Sequence, residues 1–251
     1  MQQNNFIGGI HAVEALLTHS PERVKCLHVQ RSRHDKRMQY MLDIAKDKGV
    51  KVNVQLAENM EKFLPEFQHQ GVIAECVNAS DRVWGLEAVF AAIQGPAFLL
   101  VLDGVQDPHN LGACLRVACA AGAHAVIAPK DRAASLTNTV RKVACGAAEL
   151  IPFVAVTNLA RSLAWLKEQG VWLFGAAERG ETNLFSTDLA GPIALVLGAE
   201  GTGLRRLTQD CCDHIVRIPS TGALPSLNVA VAAGVCLFEA VRQRSFSHPA
   251  A

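Results

Sequence analysis

Residues 98–116 read FLLVLDGVQDPHNLGACLR, in which five apolar residues precede a polar turn and an apolar helical pattern. The short uncharged run Phe98–Leu102 is typical of a strand that is buried on both faces of a sheet. Pro108 then ends the extended structure, and Asn110 is expected to cap the following helix. This order of elements predicts an α/β fold.

The same alternation continues to the end of the chain. Further apolar runs occupy residues 125–128, 171–176, 193–197 and 215–218, with a weaker run at 151–156. Helical patterns lie at residues 111–121, 137–148, 159–168, 203–211 and 227–244. We therefore predict that residues 97–251 form one domain with a mostly parallel sheet covered on both sides.

The first 77 residues show a second, smaller α/β pattern, with extended runs at 25–30, 50–55 and 71–77. Helical patterns at 10–17, 35–48 and 58–64 alternate with them. Between residues 78 and 96 the periodicity weakens, and Gln94, Gly95 and Pro96 break any regular element. We interpret residues 1–77 as a separate domain and residues 78–96 as a linker.

The charge of the chain is balanced, because 24 lysines and arginines face 23 acidic residues. No overall field attracts nucleic acid, so an anionic partner has to be bound by a local patch. One such patch combines Arg31, Arg33, Lys36 and Arg37 with the single acid Asp35. It predicts an RNA-binding surface, although a solvated helix start is the ordinary alternative.

Cysteines and chain hydropathy indicate a cytoplasmic protein without a metal. The eight cysteines form no C-x-x-C pair, which is typical of buried thiols in a reducing compartment. Cys211, Cys212 and His214 are close in sequence, but adjacent cysteines rarely face one ion, so we expect core packing there. No signal peptide and no run of about 18 apolar residues occurs, so we expect a soluble protein without a membrane span.

Arg116 stands out in a helix otherwise built from Leu, Ala, Cys, Val and Gly. In such a helix an arginine is expected to face an anion, either a carboxylate or a phosphate. A glycine-dense turn, LGAEGTGL at residues 197–204, follows a later strand and would let backbone amides approach a ligand. Its acid, Glu200, is also suited to cap the next helix.

The spacing of this turn disfavours common nucleotide loops. It is G-x-x-G-x-G rather than G-x-G-x-x-G, and no acid lies between Asp213 and Glu239, so an NAD enzyme is disfavoured. No glycine is followed by lysine, which excludes a Walker A loop. A third loop, IPSTGALPSLN at 218–228, places Ser226 and Asn228 before a long apolar helix, where Ser226 is a suitable cap. The absence of G-x-S-x-G disfavours a serine hydrolase.

Taken in order, these three loops resemble the signature motifs of the SpoU (TrmH) branch of the SPOUT methyltransferases. The resemblance implies an L30e-like RNA-binding domain followed by a SPOUT domain with a C-terminal trefoil knot. It implies S-adenosylmethionine-dependent 2′-O-methylation of a guanosine ribose in 23S ribosomal RNA, by a homodimer with its active site at the subunit interface. The implied cofactor-binding residues are Gly198, Ile218 and Leu227, and the implied catalytic residues are Asn110, Arg116, Glu200, Ser226 and Asn228.

Within this resemblance we expect Arg116 to anchor a phosphate rather than act as a base, because a guanidinium stays protonated. Glu200 would orient Arg116, and Ser226 and Asn228 would hold the ribose or the loop. Pro225 and Ala230 depart from the family pattern, which puts the rigidity of this loop in doubt. A transfer RNA 2′-O-methyltransferase and a non-catalytic RNA-binding assembly factor remain the alternatives.

Overall fold

The computed structural model describes residues 6–33, 35–65, 68–77, 84–222 and 226–247. They divide into two compact units, which we describe separately. Unit 1 comprises the described part of residues 1–83 together with residues 145–150, and unit 2 comprises the remainder. None of the described helices is both long enough and apolar enough to cross a membrane.

Unit 1 contains a four-stranded sheet. Its elements are β1 (Phe6–Gly8), α1 (Ile10–His19), β2 (Val24–Gln30), α2 (Lys36–Asp47), β3 (Lys51–Gln55), α3 (Ala57–Phe63) and β4 (Val72–Cys76). The strand order is β1-β4-β2-β3, in which β2 and β3 are parallel and the other pairs are antiparallel.

Helix α2 of unit 1 begins where a capping residue precedes a helical pattern of apolar residues. The carboxylate of Asp35 accepts hydrogen bonds from the backbone N–H groups of Arg37 and Met38 and so caps α2. This helix buries Met38 and Met41 in the core of the unit. The helix therefore begins one residue after the predicted start, because the predicted first residue is its cap.

Unit 2 is the larger α/β unit. Its helices are α4 (Leu86–Ala91), α5 (Pro108–Ala120), α6 (Asn138–Ala144), α8 (Leu159–Glu168), α9 (Arg206–Cys211) and α10 (Val229–Ser247), and α7 (Ala147–Leu150) clusters with unit 1. Its strands are β5 (Phe98–Asp103), β6 (Ala125–Pro129), β7 (Phe153–Val156), β8 (Trp172–Ala176), β9 (Thr182–Asn183), β10 (Ile193–Gly198) and β11 (His214–Arg217). The first helix, α4, lies in the segment predicted as a linker and buries Leu86 and Val89 in the core of unit 2.

The seven strands of unit 2 follow the order β7-β6-β5-β10-β8-β11-β9, and every neighbouring pair is parallel. The prediction of a mostly parallel sheet is confirmed. The late strand β10 lies between β5 and β8, so the carboxyl ends of β5 and β10 are neighbours. In open α/β sheets a crevice for ligands forms beyond such strand ends.

Two local predictions about helix starts are wrong. Helix α5 begins at Pro108 and is capped by Asp107, whose carboxylate accepts the N–H of His109, so Asn110 is not the cap. Proline suits the first helical position because its missing N–H would be unpaired there anyway. Helix α9 begins at Arg206, well after Glu200, which therefore does not cap it.

The long predicted helix at 137–148 is interrupted. Cys145 and Gly146 have φ values of 50° and 92°, outside the helical region, and they separate α6 from α7. The two shortest strands, β1 and β9, were not predicted, because two or three residues are too few to show a periodic pattern.

Candidate active site

Three polar side chains from the three loops meet beyond the carboxyl ends of β5 and β10. Asn110 Nδ2 donates to Glu200 Oε2 at 3.0 Å. Asn228 Nδ2 donates to Asn110 Oδ1 at 2.8 Å and to Glu200 Oε1 at 3.2 Å. We name Asn110, Glu200 and Asn228 the amide–carboxylate cluster.

The orientation of Asn228 follows from its position directly before α10. Its Oδ1 accepts the backbone N–H of Ala230 at 3.0 Å, so Asn228 caps this helix. A backbone N–H only donates, which directs the NH₂ group of Asn228 towards the other two residues. The suggestion that Ser226 caps α10 is therefore wrong, since the cap lies two residues later.

The glycine-dense turn folds back tightly on the end of β10. The N–H of Gly203 donates to Ala199 O at 2.9 Å, and Gly201 and Gly203 have φ values of 78° and 67°. A Cβ on Gly198 would lie 2.0 Å from the carbonyl carbon of Gly203, so the backbone would have to shift to accept it. Only glycine fits at position 198 in this conformation.

A cavity of about 250 Å³ lies beside the cluster. It is bounded by the ends of β8 and β10, by the 218–220 segment and by the start of α10. Predicted residues Gly198, Glu200, Ile218, Ser226 and Leu227 all line it. The structure thus brings together the cofactor-binding set and two of the predicted catalytic residues.

The cavity is acidic and otherwise mainly apolar. Glu178 and Glu200 contribute two carboxylates, and no lysine, arginine or histidine is among its described lining residues. Sequence reasoning missed Glu178. It stands two residues beyond the end of β8, so its place after a buried strand was the available signal.

Arg116 occupies a different part of the site region. It lies on α5, six residues after Asn110, which corresponds to about 9 Å along the axis and about 240° around it. Asn110 is buried in the cluster, whereas Arg116 is exposed and is absent from the described lining of the cavity. The prediction that Glu200 orients Arg116 stays a prediction.

The four basic residues of unit 1 have unequal surroundings. Arg37 forms an ion pair with Glu14 at 2.7 Å, and Arg33 pairs with Asp35. The hydrogen bond from Arg33, together with backbone N–H groups, lowers the pKa of the Asp35 carboxyl. Arg31 and Lys36, which flank Arg33 and Asp35 in sequence, are exposed. Part of the local positive charge is therefore balanced within the unit.

Cys211 and Cys212 are half-buried and pack against the core of unit 2. Cys212 Sγ donates to Thr208 O at 3.3 Å, and burial raises the pKa of this thiol to about 12. His214 stacks on Trp172 and Phe174, with ring centroids 5.7 and 5.3 Å away. Across the described ranges, no group of three His, Cys, Asp or Glu side chains is placed to hold a metal ion.

Comparison with known proteins extends these observations. The profile of the SpoU rRNA Methylase family matches residues 97–238. A second profile, RNA 2'-O ribose methyltransferase substrate binding, matches residues 6–81. The chain belongs to the SpoU rRNA Methylase family.

Other methyltransferases are similar over nearly the full chain. The 23S rRNA (guanosine-2'-O-)-methyltransferase RlmB of Pseudomonas syringae pv. tomato is 52% identical over 248 residues, which cover 98% of both chains. The SpoU methyltransferase AviRb from Streptomyces viridochromogenes, solved in complex with AdoMet, is 25% identical with a TM-score of 0.76. That alignment covers 97% of this chain and 91% of AviRb.

A tRNA-modifying SpoU protein matches a shorter part. The A. aeolicus TrmH/SpoU tRNA modifying enzyme is 27% identical with a TM-score of 0.55, and the match covers 61% of this chain and 78% of that one. The resemblance deduced from the three loops is thus confirmed at the level of the family. Of the two departures from its pattern, Ala230 is the second residue of α10, and Pro225 lies outside the described residues.

Proposed function

We propose that this protein is an S-adenosylmethionine-dependent methyltransferase that modifies the 2′-hydroxyl of a guanosine in 23S ribosomal RNA. The observation that carries the proposal is the amide–carboxylate cluster beside an acidic cavity, built from the three loops that define the family resemblance. Relatives about half identical over nearly the whole chain have names that state this reaction.

The residues of the cavity fit S-adenosylmethionine. Gly198 leaves room for backbone amides at the cavity wall, and Ile218 and Leu227 provide apolar contact area. The two carboxylates, Glu178 and Glu200, suit a ligand that carries an ammonium and a sulfonium. When bound, this cofactor supplies a methyl group that is transferred from sulfur to the ribose oxygen, with the S–C bond breaking as the O–C bond forms.

The cluster supports specific roles for the neutral side chains. Asn228 uses its oxygen for the α10 cap and its NH₂ for Asn110 and Glu200, so we assign it to holding the third loop against the first two. Ser226 lines the cavity and is assigned to the ribose of the substrate. Holding the oxygen in line with the methyl group is the main contribution that such groups make to rate.

Arg116 is assigned to a phosphate of the RNA. A guanidinium keeps its proton near neutral pH and therefore cannot act as a base. Its planar N–H donors match the oxygens of a phosphate. The proton of the 2′-hydroxyl then passes to that phosphate or to solvent. Its exposed position on α5 makes the guanidinium accessible to an RNA phosphate.

We further propose a homodimer with the active site at its interface. Val231, Val235 and Phe238 follow one face of α10 at intervals of four and three residues, and Val231 and Phe238 are about half exposed. Helix α10 packs against α5, which carries Arg116. An exposed apolar stripe of this kind is typical of a subunit interface.

In this proposal residues 1–77 bind the RNA and residues 97–251 form a catalytic domain with a trefoil knot. Residues 78–96 connect the two domains, and α4 within this segment packs on unit 2. The RNA contact uses Arg31, Arg33, Lys36 and Arg37. Arg33 also lines an open polar trough of about 870 Å³ with Gln30, Ser32, Glu61, His69 and other residues of unit 1. A ribosomal RNA substrate supports a cytoplasmic location.

Two observations bear on the alternative functions, which are a tRNA methyltransferase and a non-catalytic assembly factor. The tRNA-modifying relative aligns with 61% of the chain, whereas the 23S rRNA (guanosine-2'-O-)-methyltransferase RlmB of Pseudomonas syringae pv. tomato aligns with 98%, which favours a ribosomal substrate. A non-catalytic assembly factor is disfavoured because Asn110, Arg116, Glu200 and Asn228 are all present.

The proposed function is tested by transfer of a radiolabelled methyl group to RNA from cells that lack this protein. We expect labelling of one guanosine in 23S rRNA and none of tRNA. Arg116→Ala is expected to bind S-adenosylmethionine normally and to lose on the order of 100-fold in turnover. Arg161→Ala, which removes another exposed helical arginine of unit 2, is the matched control. Normal turnover of Arg116→Ala would exclude the role given to this residue.

A further inference from the structure

Asp103 contacts both ends of the glycine-dense turn. It is the last residue of β5, and its side chain is fully buried. In the sheet it is paired in register with Gly198, where the turn begins. Its Oδ2 accepts the backbone N–H of Arg205, where the turn ends, at 2.8 Å.

The side chain of Arg205 returns to the same carboxylate. Its Nε lies 2.8 Å from Asp103 Oδ1 in an ion pair. A Cβ on Gly104 would lie 3.0 Å from Nη2 of Arg205, so the guanidinium rests against this glycine, which has a φ of 82°. One buried carboxylate thus binds a backbone N–H and a guanidinium of the same residue.

A buried carboxylate is costly without partners, and here both partners come from one position 102 residues later in the chain. The segment between the two contact points, residues 198–205, carries Glu200 of the amide–carboxylate cluster and glycines that line the cavity. Loss of the carboxylate would release this segment at Arg205, whereas at Gly198 the segment would stay paired in the sheet.

We propose that Asp103 is a positioning residue for methyl transfer, which closes the 198–205 segment into a ring and so sets the place of Glu200 and of the cofactor-binding backbone. Asp103 acts through Arg205 and has no direct contact with substrate in this role. The inference rests on the proposed function, because it concerns the site of the same cofactor.

A matched control is available in the same sheet. Asp213 Oδ2 accepts the backbone N–H of Leu173 at 2.8 Å, and Oδ1 lies 2.7 Å from Nζ of Lys167. Asp213 therefore has the same two kinds of partner as Asp103, but it joins β8 and the start of β11 rather than the glycine-dense turn. Asp103→Asn and Asp213→Asn remove the same charge from equivalent bonding patterns.

The experiment measures S-adenosylmethionine binding by calorimetry, the Tm and the steady-state constants for both substrates in the full-length variants. We expect Asp103→Asn to raise the Kd and the KM for S-adenosylmethionine about tenfold or more, since small displacements of positioning groups are costly. The KM of Asp103→Asn for RNA is expected to change less than about twofold. The Kd of Asp213→Asn for S-adenosylmethionine is also expected to change less than about twofold.

Arg205→Ala and Arg205→Lys keep the test decisive if Asp103→Asn does not fold. The alanine variant keeps the backbone hydrogen bond and is expected to weaken cofactor binding, and lysine, which restores a cation, is expected to recover part of it. The inference is overturned if Asp103→Asn lowers only the Tm, as is expected of Asp213→Asn, or if the Arg205 variants bind cofactor normally. Absence of cofactor binding by the wild-type protein would instead refute the proposed function.

Discussion

Replacing Gly198 by alanine tests whether the shape of the glycine-dense turn creates the cofactor site. The added methyl group would lie 2.0 Å from the carbonyl carbon of Gly203 and 2.2 Å from Leu204 N. Reaching an ordinary contact of 3.4 Å requires a displacement of about 1.4 Å between two backbone segments. A displacement of about 1 Å in a functional site costs on the order of 100-fold, or about 2.7 kcal/mol.

We therefore expect Gly198→Ala to bind S-adenosylmethionine about 100-fold more weakly in a calorimetric titration. Overpacking of this kind is expected to lower the free energy of unfolding by about 1–3 kcal/mol in urea titrations. Gly222→Ala is the control, because a Cβ there meets no atom of the described residues within 4 Å and the residue has no positive φ. A Gly198→Ala protein with wild-type cofactor affinity would refute the argument from backbone contact.

Three further predictions concern the cluster, the pH dependence and the interface. Asn110→Ala and Asn228→Ala are each expected to lower kcat/KM more than about tenfold, because each change disrupts the same hydrogen-bond network. The double variant is therefore expected to lose little more activity than either single variant, and fully additive losses would contradict this. Burial lowers the pKa of His124, whose Nδ1 accepts the N–H of Phe98, so the unfolded chain binds the proton more readily. The free energy of unfolding should therefore fall as the pH drops below about 6.5, and denaturant titrations of His124→Asn should show a smaller fall; equal slopes would exclude this cause. Phe238→Glu places a charge on the apolar stripe of α10 and is expected to halve the mass measured by light scattering, whereas an unchanged dimer would place the interface elsewhere.

The layered fold was predictable because its strands are continuous apolar runs. All six residues of β5 and the first five of β10 are buried, so composition alone separated them from the amphipathic helices. The position of the site was predictable as well, because ligands gather beyond the carboxyl ends of parallel strands. The three loops that carry the site follow such strands.

Side-chain partners were less predictable than positions. Asparagine is common at helix starts, so Asn110 was interpreted as a cap, yet its neighbour Glu200 is 90 residues away in sequence. Asp103 gave no local sign that Arg205 would bind it, since a single acid at a strand end has many ordinary explanations. Such pairs depend on which strands become neighbours, and β10 pairs with β5, a strand about 95 residues earlier in the chain.

This strand order has a consequence during protein synthesis. The hydrogen bond between Asn110 and Asn228 spans 118 residues, and β10 pairs with a strand translated about 95 residues earlier. Contacts of such high contact order form late, because the long intervening chain has to be closed first. A nascent polypeptide therefore lacks its asparagine pair until Asn228 has emerged from the ribosome and β10 has entered the sheet.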